Sequence, residues 1–200
     1  TQGVDLSRTG SKNIGATNVM RTCGLVPGIL AYILDIGKGM IAVLLISLIS
    51  PGSMRSSALL QLLFLGAYFT PVAGHIFPVF LKFKGGKGVA VTAGILLLLI
   101  PVPLLITVLF FLIILIIFRI VSLASVCAAA ILPFVFYWQE HYLQSKTWFL
   151  SYQTGKQSDY FNYLFAIIIM LSIFIIYKHK SNIIRLIKKT ELSFGRKKQE

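Results

Sequence analysis

Three lysines and three glycines fall within the seven residues 82–88, Lys82-Phe83-Lys84-Gly85-Gly86-Lys87-Gly88, and interrupt a long apolar tract. That composition suits a phosphate. Glycines, having no Cβ, let backbone N–H groups turn inward as an anion nest, and a helix starting near Gly88 would aim its first unpaired amides at the loop. Lys84 and Lys87 would add full charges. A plainer reading fits the same residues: a cationic loop on the inner face of a membrane, with the glycines as turn formers. The stretch does not fit G-x-x-x-x-G-K-[ST], because Gly88 follows Lys87, so a nucleotide P-loop is not indicated.

Two further stretches carry chemistry. Ser11-Lys12-Asn13-Ile14-Gly15-Ala16-Thr17-Asn18, ending at Arg21, concentrates hydroxyls, carboxamides and a guanidinium. Arg21 can hold phosphate through two parallel N–H bonds, while Ser11, Asn13, Thr17 and Asn18 can meet the alcohols of a polyol. A helix cap with a glycine turn is the alternative. The other stretch is His179-Lys180-Ser181-Asn182-Ile183-Ile184-Arg185, with Glu191 further on. On a continuing helix His179 and Asn182 share a face. His179 can accept the proton of an attacking alcohol or, as a cation, bind phosphate; beside Lys178 and Lys180 it can equally be an interfacial charge. His75 reads as a packing or hydrogen-bonded residue and His141 as a loop residue. Asp35 and Lys38, three apart in an apolar run, read as a structural pair or as cavity lining, although ionisable groups inside spans are functional candidates by default.

Several chemistries drop out. The six acidic residues include no close carboxylate pair for a glycosidase or a two-metal site. None of the three histidines is followed five positions later by Asp, so the H-x-x-x-x-D pattern of common acyltransferases is missing. No Ser or Cys nucleophile with its own base and orienting acid is evident. Cys23 and Cys127 lie far apart in sequence with no metal-ligand spacing, so neither a disulfide framework nor a zinc site is supported.

The elements that must position these stretches are apolar. The chain is 56% hydrophobic and 12% charged with a mean hydropathy of +0.84, against about 25% charged in soluble domains. It reads as an all-α, polytopic helical membrane protein. Spans are expected at 27–49, 58–81, 120–138 and 160–177. The tract 88–118 is too long for one span and carries Pro101 and Pro103 near its middle, so it reads as a helical hairpin, giving six spans in all. Residues 1–24 form an interfacial or loop element and 139–159 a polar loop. With the hairpin, fifteen of the nineteen cations fall on one side and only Arg55, Lys146 and Lys156 on the other; without it the division is eight to ten. The positive-inside bias favours both ends in the cytoplasm, with all three polar stretches on one membrane face. The net charge of +13 therefore points to anionic lipid and anionic substrates rather than nucleic acid, with the basic tail at 196–198 as a lipid anchor.

Taken in order, SKNIGATNVMR, GHIFPVFLKFKGGKGVAV, RIVSLAS and HKSNIIRLIKKTE resemble the bacterial acyl-phosphate:glycerol-3-phosphate acyltransferase family over nearly the whole chain. The resemblance implies a single integral membrane domain with motif regions at 8–24, 75–92 and 178–192, in the bacterial cytoplasmic (inner) membrane with its active site facing the cytoplasm. It implies transfer of a fatty acyl group from acyl phosphate to glycerol 3-phosphate, giving lysophosphatidic acid for phospholipid synthesis, without a cofactor; a monomer is one expectation, although the sequence does not reveal the oligomeric state. By motif position, Ser11, Arg21, His179 and Asn182 would be catalytic. Asn13, Thr17, Asn18, Lys84, Gly85, Gly86, Lys87 and Gly88 would bind substrate. Glu191, with the Asp35 and Lys38 pair, would be structural. The sequence departs from the family in carrying Lys12 where glycine usually follows the serine and Lys189 where glycine usually precedes Thr190-Glu191. The family's first of seven helices has no counterpart. An organic-phosphate transporter, with the basic loops lining an anion path, is the alternative, although no internal repeat supports it.

Overall fold

The computed structural model describes residues 3–49, 58–143 and 157–193, and among them contains helices and no strand. The α-helices are α1 (Ala16–Cys23), α2 (Leu25–Ile49), α3 (Ala58–Tyr68), α4 (Thr70–Ile76), α5 (Val89–Leu99), α6 (Pro101–Phe118), α7 (Val121–Trp138), α8 (Gln157–Lys178) and α9 (Lys180–Ile187). A 3-10 turn at Val79–Leu81 precedes α5, and a π-helical turn at Gln139–Leu143 continues α7.

The breaks have identifiable causes. Gly24, at φ +101°, separates α1 from α2 in a conformation that only glycine adopts without strain. Prolines lie in the first turns of α4 and α6, where a missing N–H leaves no intrahelical bond unmade. Arg119 closes α6 in the left-handed region, its N–H on the Leu115 carbonyl at 2.8 Å, and Ile120 alone stands between it and α7. So short a connection makes α6 and α7 an antiparallel pair, packed along each other.

Among the described residues, four stretches are long and apolar enough to cross a bilayer: Leu25–Leu48, Pro101–Phe118, Val121–Tyr142 and Phe161–Lys178. The protein is therefore multi-pass. The tract 88–118 divides as its prolines predict, at Ile100. The stretch 58–81 differs from the single span expected: Phe69, Pro71 and Pro78 cut it into α3, α4 and the 3-10 turn. At 1.5 Å per residue, α3 and α5 each reach only about 16 Å, roughly half of a ~30 Å hydrocarbon core. The polar loop expected at 139–159 begins with the π-helical turn, where the His141 ring stacks on Tyr137 at 4.0 Å. Its remainder at 144–156, and the basic tail at 196–198, lie outside the described residues.

The chain packs as two compact units. One runs to Leu99 and takes in the opening of α8 to Tyr163; the other starts at Ile100 and includes α8 from Leu164 and α9. In the first, α2 is the centre, with α1, α3, α4 and α5 against it. Helices α2 and α5 meet backbone to backbone: a Cβ on Gly94 would strike the Ile36 carbonyl oxygen, and one on Gly39 the Val91 carbonyl oxygen. In the second, α9 packs on α7, and Phe136 of α7 stacks on Phe165 of α8.

Candidate active site

In the first polar stretch the asparagines build the loop. Asn18, 1% exposed, accepts the Ser11 N–H on Oδ1 at 2.8 Å and donates through Nδ2 to the carbonyls of Leu6 at 3.2 Å and Thr9 at 3.1 Å. With its amide oxygen and both amide hydrogens engaged, Asn18 ties residues 6, 9 and 11 of the loop together. Asn13 Oδ1 similarly accepts the Gly15 N–H at 2.8 Å, just ahead of α1. Ser11 and Thr17 keep half-exposed side chains, and half-buried Arg21 falls in the last turn of α1. Lys12 takes up φ +58° and leaves its side chain exposed.

The glycine loop docks on the end of α4. Gly85 and Gly86 donate their N–H groups to the carbonyls of Ile76 and His75, each at 3.2 Å. The two amides expected to form an anion nest are thus engaged with α4. A Cβ on Gly85 would collide with the His75 and Ile76 carbonyls, one on Gly86 with the His75 imidazole, and one on Gly88 (φ +80°) with Val72 and Ile76. The loop also carries exposed Lys84 and half-buried Lys87 and runs into the start of α5. There the first bond runs from the Thr92 N–H to the Gly88 carbonyl at 2.8 Å, so helix geometry gives the three preceding amides no intrahelical acceptor. The Asp35 and Lys38 pair forms as expected, with Lys38 Nζ 3.0 Å from Asp35 Oδ1, and His75 Nδ1 joins the same oxygen at 3.5 Å.

The third stretch is organised by a carboxylate. Glu191 Oε1 accepts from Asn182 Nδ2 at 2.6 Å and from Ser122 Oγ at 2.8 Å, and Oε2 accepts from Arg185 Nε at 2.6 Å. Burial alone would raise the Glu191 pKa, but the hydrogen bonds from Asn182, Ser122 and Arg185, with the Arg185 charge, together hold it below the usual carboxylate value. The helix does not run straight through this stretch. His179, at φ −92° and ψ 6°, separates α8 from α9, so its relation to Asn182 is set by a bend. The imidazole is 2% exposed, which excludes the interfacial-charge reading. Its Nδ1 lies 2.8 Å from the Ile175 carbonyl, which also accepts the His179 backbone N–H. A carbonyl only accepts, so Nδ1 carries a hydrogen directed at it.

The glycerol-3-phosphate acyltransferase family model matches residues 1–189. The chain belongs to that family. The glycerol-3-phosphate acyltransferase of Desulforamulus reducens is 39% identical over 197 residues, covering 98% of this chain and 85% of that protein. That of Fusobacterium nucleatum is 38% identical over 194 residues, covering 96% and 86%. The crystal structure of PlsY (YgiH), an integral membrane glycerol 3-phosphate acyltransferase, in its glycerol 3-phosphate form, is similar with a TM-score of 0.73 at 34% identity, covering 96% of this chain and 84% of that one. The protein is a membrane acyltransferase of phospholipid synthesis, and the transporter alternative falls away. Sequence reasoning about this acyltransferase missed Ser122 and Arg185 as partners of Glu191, and His75 as a partner of both Asp35 and the loop. Ser122, Arg185 and His75 all lay within stretches that carried the resemblance, so that signal was on hand.

Proposed function

We propose that the protein transfers a fatty acyl group from acyl phosphate to the C1 hydroxyl of glycerol 3-phosphate, releasing inorganic phosphate and forming lysophosphatidic acid. The observation that carries this reading is the buried His179 ring, whose Nδ1–H is directed at the Ile175 carbonyl, so that in its neutral form Nε2 is the nitrogen a general base would use. The hydroxyl oxygen attacks the acyl carbonyl carbon and an ester bond forms. The anhydride C–O bond breaks and phosphate leaves with its electron pair. The hydroxyl proton goes to His179 Nε2 or to a phosphate oxygen.

A mixed anhydride has a good leaving group, so no covalent enzyme intermediate is needed; the obstacle is bringing two anions together. Arg21, Lys84, Lys87 and the first amides of α5 neutralise the two phosphates. Ser11, Asn13 and Thr17 serve the polyol, and Gly85, Gly86 and Gly88 shape the loop rather than donate to substrate. Asn182 assists His179 from its place on Glu191. The acyl chain lies among the apolar helices, each buried methylene contributing about 0.8 kcal/mol. Crystal structures of the relative PlsY in glycerol 3-phosphate and lysophosphatidic acid forms support this acceptor and product.

The enzyme acts as a monomeric single domain in the bacterial inner membrane, with its active site facing the cytoplasm and no cofactor. The short helical pieces at 58–81 and 88–100 complete six crossings, and the fifteen-to-three division of cations supports cytoplasmic ends. Purified protein given palmitoyl phosphate and radiolabelled glycerol 3-phosphate, without coenzyme A or acyl carrier protein, is expected to form labelled lysophosphatidic acid. Product formation only from a thioester donor would overturn the proposal.

A further inference from the structure

We propose that His75, held by Asp35, is a positioning residue for the glycine loop, and that position 86 must be glycine because the imidazole occupies the place of its side chain. The inference rests on the reading that the 84–88 loop meets a substrate phosphate. It assigns Gly86 a cause that this reading alone does not.

The contacts form a chain from the middle of α2 to the loop. Lys38 Nζ, on an otherwise exposed side chain, and His75 Nδ1 meet the same oxygen of buried Asp35. Nδ1 is the ring nitrogen that meets Asp35, at 3.5 Å, which leaves Nε2 as the nitrogen turned away from α2. Nε2 is the atom that a Cβ on Gly86 would strike first, with Cδ2 and Cε1 next at 3.0 Å. The residue that supplies this ring also accepts the Gly86 N–H on its carbonyl at 3.2 Å. Position 86 is therefore clasped twice by His75, once through backbone and once through the Nε2 edge of the ring. Its neighbour Lys87 carries the charge, and Gly88 opens α5. Were Asp35 to release the ring, the wedge beneath Gly86 would be free to turn and the placement of Lys87 would loosen. Glycine in a cation-rich loop is usually explained by close approach of a ligand. Here the filled space lies on the protein side, against a named side chain.

A double-mutant cycle in the full-length protein separates the two causes, reading KM for glycerol 3-phosphate, kcat and the thermal midpoint in detergent. Gly86→Ala is expected to raise KM about tenfold and lower the midpoint, and adding His75→Ala to it should bring both back to within about threefold and a few degrees of His75→Ala alone. Should His75→Ala fold poorly, His75→Ser removes the same ring. Asp35→Ala is expected to raise KM about fivefold with kcat changed less than twofold, and Asp35→Asn, which keeps an oxygen acceptor for Nδ1–H, to retain a near-normal KM. A double variant as impaired as the product of the single losses would overturn the proposal, as would equal KM for Asp35→Asn and Asp35→Ala. If the wild type forms no lysophosphatidic acid, the functional reading fails on its own; recovery of the thermal midpoint still tests the wedge.

Discussion

Asn182 donates its amide to Glu191 across 2.6 Å, joining α9 to the segment that follows it. The same carboxylate takes Ser122, from the first turn of α7, and Arg185, so one acid ties three parts of the second unit together. Its side chain is 3% exposed, and removing it would strand three donors. Glu191→Ala is expected to cost on the order of 3 kcal/mol in thermal unfolding. The pH dependence has a definite sign. A carboxyl held below its unfolded pKa contributes stability at neutral pH and loses that contribution as pH falls through its folded value. For Glu191 the unfolded value is about 4.5. Glu191→Gln should therefore be less stable than the wild type at pH 7, with the gap narrowing below about pH 4.5.

Lys12 and Lys189, the two lysines standing where the family usually has glycine, both adopt left-handed backbone, at φ +58° and +55°. The second ends α9 in a Schellman motif: the Lys189 N–H donates to the Leu186 carbonyl at 3.0 Å and the Thr190 N–H to the Arg185 carbonyl at 2.8 Å. A side chain in that conformation costs roughly 1–2 kcal/mol, offset in part by the greater freedom glycine has when unfolded. Lys12→Gly and Lys189→Gly are each expected to raise stability by up to about 1 kcal/mol, measured as thermal midpoints in detergent.

Glycines of α2 and α5 separate packing from propensity. A Cβ on Gly94 would meet the Ile36 backbone, whereas one on Gly37 would meet nothing within 4 Å. Gly94→Ala should push α2 and α5 apart and destabilise by about 1–3 kcal/mol. Gly37→Ala should be neutral or stabilising by up to about 1 kcal/mol. Equal effects in unfolding experiments would contradict the close crossing.

What the sequence revealed was local. Pro101 and Pro103 announced the break at Ile100, and the i, i+3 spacing announced the Asp35 and Lys38 pair. The interruption of 58–81 escaped because its overall hydropathy matches a span, although Pro71 and Pro78, which open α4 and the 3-10 turn, carried the same signal as Pro101 and Pro103. Pairings between distant positions were also hidden. Ser122 and Glu191 are 69 residues apart, and no periodicity links them. Residue type states what a side chain can bond to, not what it faces. Asn18 thus read as a ligand group, and its three bonds within the loop were not legible. Gly86 read as a phosphate nest because a glycine looks alike whether a ligand or a histidine fills the space beside it.

Acyl transfer from acyl phosphate depends on His179, whose Nδ1–H is held by the Ile175 carbonyl and whose Nε2 positions or deprotonates the acceptor hydroxyl. The most direct test is the rate of lysophosphatidic acid formation from palmitoyl phosphate and saturating glycerol 3-phosphate by wild type and by His179→Ala of equal thermal stability. The account predicts a fall in kcat of about 10²–10⁴. A variant that keeps the wild-type rate would contradict it.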